Sequence, residues 1–211
     1  GRDIERFVQA AIRTMQTSQG VAGYILGEQP NNPAYTPEHV VLGPSYYALL
    51  YNRIWQAKPS AAKLAPAAVE PYGGPNLDAR DWWVRMLAIL TGADFLVVQA
   101  QTSDCNPEQV ASAERLPEPR QWQFAQFRAY QPLLLAVPAA LQKLPVYAVA
   151  VQPRMGWVAG QATAWGQRVL AHVGQWNLIP AVPRIQGVVW GGLGGTTADL
   201  LQHSESLQAW G

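Results

Sequence analysis

Three carboxylates in this chain stand where a short apolar run gives way to a polar turn: Glu28, Glu70 and Asp104. Two carboxyl groups brought together in a low-dielectric site split their pKa values, and the pair becomes one acid and one base. Glu28 and Glu70 are the candidates for such a pair; kept apart, they are ordinary solvated loop carboxylates. Asp104 stands just before Asn106-Pro107 and reads as a loop cap. Four amides share these turns, Gln29, Asn31, Gln99 and Gln101. They could bind hydroxyl groups of a ligand or satisfy one another. Tyr72, Trp157 and Trp190 fall in similar positions, where a flat ring serves either as a stacking platform or as a packed lid. Other chemistry finds little support. His39, His172 and His203 show no metal-ligand spacing, and no serine sits in a nucleophile elbow. Cys105 is the only cysteine, which excludes an intrachain disulfide and a cysteine metal cluster. No Gly-x-Gly-x-x-Gly follows a strand, and Gly191-Gly-Leu-Gly-Gly195 lacks the lysine and spacing of a phosphate loop. No cofactor is expected.

The elements that carry these residues follow from hydrophobic period. Residues 4–17 form an amphipathic helix, with Ile4, Phe7, Val8, Ala11, Ile12 and Met15 at three-to-four spacing. Strands are predicted at 21–26, 64–69, 95–98, 146–151 and 185–190. Each is a near-continuous apolar run, the pattern of a strand covered on both faces. Pro66 weakens the second run, since proline cannot donate to a ladder. Helices are expected around Tyr47–Ile54, from a cap near Asn76 through Leu90, over about 122–142 with bends at Pro132 and Pro138, over 160–176, and over 196–208. A long polar loop connects Asp104 to about Gln121. Strand and helix alternate five times, which predicts an α/β fold with about five parallel strands and right-handed crossovers. An open sheet and part of a barrel both satisfy that pattern.

Composition bounds the rest. The 211 residues are 49% hydrophobic and 14% charged, with net charge +1 and no basic block, so nucleic acid is not the expected partner. The length suits a single domain over 1–211. No apolar run reaches the ~18 residues of a membrane span, and no signal peptide opens the chain. Composition does not assign a compartment.

Tyr24-Ile-Leu-Gly-Glu-Gln-Pro-Asn-Asn32 resembles the end of the fourth strand in the retaining (β/α)8 glycoside hydrolases of clan A. Further segments look like a bacterial subgroup of that clan. Tyr46-Tyr-Ala-Leu-Leu-Tyr-Asn-Arg53 and Ala67-Ala-Val-Glu-Pro-Tyr72 are similar to its next helix and fifth strand. Phe127-Arg-Ala-Tyr130 and Leu144-Pro-Val-Tyr147 are similar to its sixth helix and seventh strand, and Trp190 to the end of its eighth strand. The resemblance implies a partial TIM barrel from the third helix to the eighth, lacking the first three βα units. It implies exposed sheet edges covered by a homo-oligomer or a second chain, a saccharide as possible ligand, and an extracellular setting.

Against that pattern the chain departs at three strand ends. Gln29 stands where the resemblance puts the acid/base glutamate, and Ala150 where it puts the nucleophile. Gln99-Ala-Gln101 replaces a His-x-Tyr. Glutamine is no proton donor of carboxylic strength, and alanine has no oxygen with which to form a glycosyl-enzyme. The expectation is therefore a catalytically degenerate protein with a binding or structural role, contacting saccharide or protein through Gln29, Asn31, Glu70, Tyr72, Gln99, Gln101, Trp157 and Trp190. The alternative is an active glycosidase with Glu28 and Glu70 as relocated carboxylates, which would have to stand about 5–9.5 Å apart.

Overall fold

The computed structural model describes residues 2–36, 39–71, 79–112 and 127–191. In chain order the elements are α1 (Arg2–Thr17), β1 (Tyr24–Leu26), α2 (Pro44–Ala57), β2 (Leu64–Pro66), α3 (Ala79–Leu87), β3 (Leu96–Thr102), α4 (Pro107–Ala111), α5 (Gln131–Leu135), β4 (Val146–Pro153), α6 (Ala162–Asn177) and β5 (Ile185–Trp190). The chain is thus α/β, with two small parallel sheets: β1 with β2, and β3-β4-β5.

Local sequence explains the boundaries. Val8, Ile12 and Met15 of α1 recur at helical spacing and are buried, while Asp3 and Glu5 in the first turn complement the helix dipole. Pro44 starts α2 at a position where its missing N–H costs nothing. Asn106 caps α4 by accepting from the Glu108 N–H at 3.0 Å, and Asp104 Oδ1 accepts from the Asn106 N–H at 2.8 Å, so Asp104 is a turn former. The α6 face expected from Trp165, Val169, Val173 and Trp176 is buried, and His172 lies on it as well. All seven residues of β3 are buried, as befits a strand covered on both faces.

Several expected elements differ. The first strand is three residues, Tyr24–Leu26, rather than 21–26; the helix expected through Leu90 ends at Leu87; and α4 lies within the expected polar loop. The second strand stops at Pro66 rather than Val69; the Ala67 N–H instead donates to the Tyr47 hydroxyl at 2.7 Å. Over the described part of the expected 122–142 helix there is no continuous helix. A 3-10 turn (Phe127–Tyr130), the single-turn α5 and another 3-10 turn (Ala139–Leu141) take its place. Pro132 at the start of α5 and Pro138 before the second turn break the ladder there. The cap at Asn76, residues 113–126 of the loop and the helix expected over 196–208 lie outside the described residues.

The two sheets meet at the N-terminal ends of β2 and β3. The Asp94 N–H donates to the Leu64 carbonyl, and the Leu64 N–H to Asp94 Oδ2, both at 2.9 Å. Lys58 and Lys63 pair with the same carboxylate at 3.3 and 3.5 Å. The larger of two hydrophobic clusters has Trp83, Trp165, Tyr51, Tyr130 and Phe127 among its largest fully buried side chains, and a small second one joins Ala65, Ala68 and Val97 with Phe95, Tyr147 and Val149. Among the described residues no helix is long and apolar enough to cross a membrane.

Candidate functional site

β1 ends in a tight turn. Gly27 has φ +83°, a conformation that suits a residue without Cβ. Glu28, next along, is exposed. Gln29 then turns inward, 2% exposed, with its own backbone left-handed at φ +43°. Its N–H donates to the Ala68 carbonyl at 3.2 Å, which anchors the turn beside the end of β2. Its side-chain Nε2 donates to Gln99 Oε1 at 3.0 Å, tying the β1 turn to β3. Gln29 Oε1 is buried and has no hydrogen-bond partner among the described residues.

The β1–β2 ladder, lost after Leu26 and Pro66, is continued by side chains. The Tyr47 hydroxyl donates to the Leu26 carbonyl at 2.6 Å while accepting from Ala67. Beyond it, Asn31 mimics a strand edge. Its Nδ2 donates to the Glu70 carbonyl at 2.9 Å and its Oδ1 accepts from the Glu70 N–H at 2.7 Å. This clasp fixes the backbone of Glu70, whose side chain is only 4% exposed.

Ala150 occupies a bulge. Between Gln99↔Val149 and Gln101↔Gln152, β4 advances one residue more than β3; between Ala148↔Val188 and Val151↔Trp190 it also outruns β5. The extra residue is out of step with both neighbours, and Ala150 is left-handed at φ +49°. Gln101 Nε2 reaches the Ala150 carbonyl at 3.5 Å. Gly191 passes so close that a Cβ there would lie 3.0 Å from Ala150 Cα and 2.7 Å from Gln152 Oε1.

The aromatic candidates pack together. Trp157 and Trp190 have ring centroids 6.5 Å apart, and Trp165 contacts both, at 5.3 and 6.0 Å. Trp165 is fully buried, as its helical position suggests, and its Nε1 donates to Thr102 Oγ1 at 2.9 Å at the end of β3. Trp157 and Trp190 are half-buried, and Trp157 Nε1 has no partner among the described residues. Tyr72 lies outside the described residues.

The structure thus joins Gln29 with Gln99, Asn31 with Glu70, and Trp157 with Trp190. It gives Glu28 and Glu70 different environments, one at the surface and one enclosed. Sequence reasoning missed Tyr47 and Thr102 as supports, and missed the left-handed backbone of Gln29 and Ala150. A hydroxyl-bearing side chain on the buried face of α2 was a signal for the first, though Tyr51 and Asn52 share that face; the backbone conformations had none.

A second polar cluster lies away from these strand ends. His172 of α6 sits within hydrogen-bond reach of Gln131, Nε2 to Nε2 3.3 Å, with the rings of Phe127 and Tyr130 edge-on to it. Burial, and then the charge of Arg128, push its imidazole down to about 4, so the neutral form is held. Among the described residues no group of three or more His, Cys, Asp or Glu could hold a metal ion.

The fold and site define a mixed α/β protein with parallel sheets and an amide-rich set of strand ends. Comparison with protein-family models, with curated proteins and with solved structures gave no match, so a relation to the glycoside hydrolases rests on the sequence motifs alone.

Proposed function

We propose that this chain is a non-hydrolytic relative of the (β/α)8 glycoside hydrolases, with part of a barrel's strand set, acting as a saccharide-binding or structural subunit through its strand carboxyl ends. The observation that carries the reading is the backbone at Gln29 and Ala150. These two positions, assigned by resemblance to the acid/base and the nucleophile, are both left-handed in non-glycine residues. Strained backbone and bulges concentrate at functional sites. Here they support an amide and a methyl group, neither able to cycle a proton or form a covalent sugar adduct. The site's remaining capacity is hydrogen bonding. Gln29 Oε1, buried without a partner among the described residues, is the acceptor a sugar hydroxyl would use once the turn opens to it, and the half-buried Trp157 and Trp190 offer ring surface.

The test combines binding and turnover. The protein is titrated with cell-wall oligosaccharides while tryptophan fluorescence and heat are recorded, and it is incubated with aryl glycosides and polysaccharides. Saturable binding without turnover, weakened at least tenfold by Gln29→Ala, is the expected result. Hydrolysis that disappears in Glu28→Gln or Glu70→Gln would overturn it in favour of relocated carboxylates. Absence of both binding and turnover leaves the structural role, whose partner is then sought by light scattering.

A further inference from the structure

The chain has three methionines and one cysteine, and the fold treats their sulfur atoms very differently. Met15 joins Val8 and Ile12 on the buried face of α1, and Met86 is fully buried in α3. Cys105, the one thiol, is fully buried as well. Met155 is 83% exposed, more than any other large apolar side chain among the described residues. The backbone that carries it is pinned. After β4, the Arg154 N–H donates to the Thr102 carbonyl and the Met155 N–H to the Ser103 carbonyl, both at 2.9 Å. The Gly156 N–H closes the turn on the Pro153 carbonyl at 3.2 Å, with Gly156 at φ +96°, a conformation that suits glycine. None of these bonds uses the Met155 side chain. Its flexible, polarisable thioether fills no gap in the core and stands in water instead.

We propose that Met155 is a reversible oxidation site, converted to the sulfoxide by a two-electron oxidant of the peroxide class while the fold stays intact. The sulfur lone pair forms an S–O bond to one oxygen of hydrogen peroxide, and the O–O bond breaks. The proton on the transferred oxygen passes to the departing hydroxide, which leaves as water. Sulfur loses two electrons and the peroxide gains them. A sulfoxide reductase reverses the step, releasing the oxygen as water while two thiols become a disulfide. The fold tolerates the product at this position alone. At Met155 the polar sulfoxide is hydrated and the three turn hydrogen bonds keep their partners. At Met15 or Met86 the same oxygen would be a buried acceptor without a donor. The more reactive thiol of Cys105 is enclosed and does not compete. Oxidation thus places a new dipole on the turn that leads from β4 to Trp157. The assignment rests on exposure and turn geometry and is independent of saccharide binding.

The test treats the whole folded chain with graded hydrogen peroxide and maps the products by peptide mass spectrometry. Thermal unfolding is then measured on the singly oxidised chain. The expected result is a gain of about 16 Da, one oxygen, on the Met155 peptide, at a rate at least about tenfold above that of the Met15 and Met86 peptides. The unfolding midpoint stays unchanged, and methionine sulfoxide reductases with a thiol return the original mass. Met155→Leu keeps the size and exposure of the side chain, so it folds, as far-UV circular dichroism reports, and it lacks the fast step. In denaturant the three methionines react at similar rates, which assigns the native difference to burial. Equal rates in the folded chain overturn the proposal. So does a fast step that survives Met155→Leu, a rate difference that persists in denaturant, or a midpoint that falls on single oxidation.

Discussion

The hydroxyl of Tyr47 does the work of a missing ladder rung. It receives the Ala67 N–H and donates to the Leu26 carbonyl in a site where the residue is 3% exposed. Tyr47→Phe keeps the ring and orphans both backbone groups. Each buried group left unsatisfied costs about 1–3 kcal/mol, so urea unfolding of the variant should show a loss of roughly 2–6 kcal/mol. Burial raises the Tyr47 phenol far above its ordinary range, so this link stays protonated at any ordinary pH. His172 behaves oppositely. Its pKa is depressed to about 4 in the fold, against about 6.5 for an unperturbed imidazole. Between those values the unfolded chain binds a proton that the native state refuses. The stability from keeping His172 neutral is complete above about pH 6.5 and is lost as the pH falls towards 4. The expected loss is on the order of 2 kcal/mol, read from denaturant midpoints at a series of pH values, and His172→Gln should flatten that slope. His172 was unremarkable in the sequence, because one histidine on an apolar helix face has no pattern to mark it; its partners Phe127, Tyr130 and Gln131 arrive from 41–45 positions away.

Among the elements, β4 carries the largest departure from regularity. Its bulge at Ala150 resets the alternation of buried positions, from Val146 and Ala148 before it to Val151 and Pro153 after it. A non-glycine residue in the left-handed region costs about 1 kcal/mol. Ala150→Gly should therefore be neutral to stabilising, by up to about 1 kcal/mol in thermal or urea unfolding, whereas Ala150→Val should destabilise by more than that. The strands themselves were legible because Leu96–Val98 and Val146–Val151 are apolar runs too short for helices and bounded by polar turns. Their extensions, Gln99–Thr102 and Gln152–Pro153, were not. Polar residues at a buried strand end look like loop until partners such as Gln29, for Gln99, and Trp165, for Thr102, account for them. The expected helix over 122–142 failed for the reverse reason: apolar period persists through Pro132 and Pro138, and period alone does not register a missing N–H.

For the whole molecule, the join between the two sheets is the decisive feature. Asp94 holds it, with its carboxylate accepting from Leu64 and pairing with Lys58 and Lys63. Burial alone would raise this carboxyl, but the Leu64 N–H and the two ammonium groups outweigh burial and hold its pKa below the ordinary range. Its contribution is therefore present at neutral pH and is lost as the pH falls below the usual carboxylate value. Asp94→Asn should destabilise the chain and make the loss uneven. Hydrogen exchange is expected to quicken in β1 and β2 more than in β3, β4 and β5. Uniform acceleration would mean that the sheets unfold as one unit regardless of this contact. The α/β class could be read from the chain alone, since the alternation of strand and helix periods encodes it. The division into two sheets could not, because it depends on contacts between distant residues, Leu64 with Asp94, that no local pattern marks.

The bulge in β4 has a consequence for how such a chain changes over generations. A residue out of step with both neighbouring strands belongs to neither the core nor the opposite layer, so its side chain can be exchanged for others that suit a left-handed backbone while Val151 and Pro153 keep their places. Removing the residue is another matter, since every position after it would swap sides. Lineages carrying this strand should therefore differ at position 150 by replacement among residues that tolerate a left-handed backbone, and hardly ever by deletion.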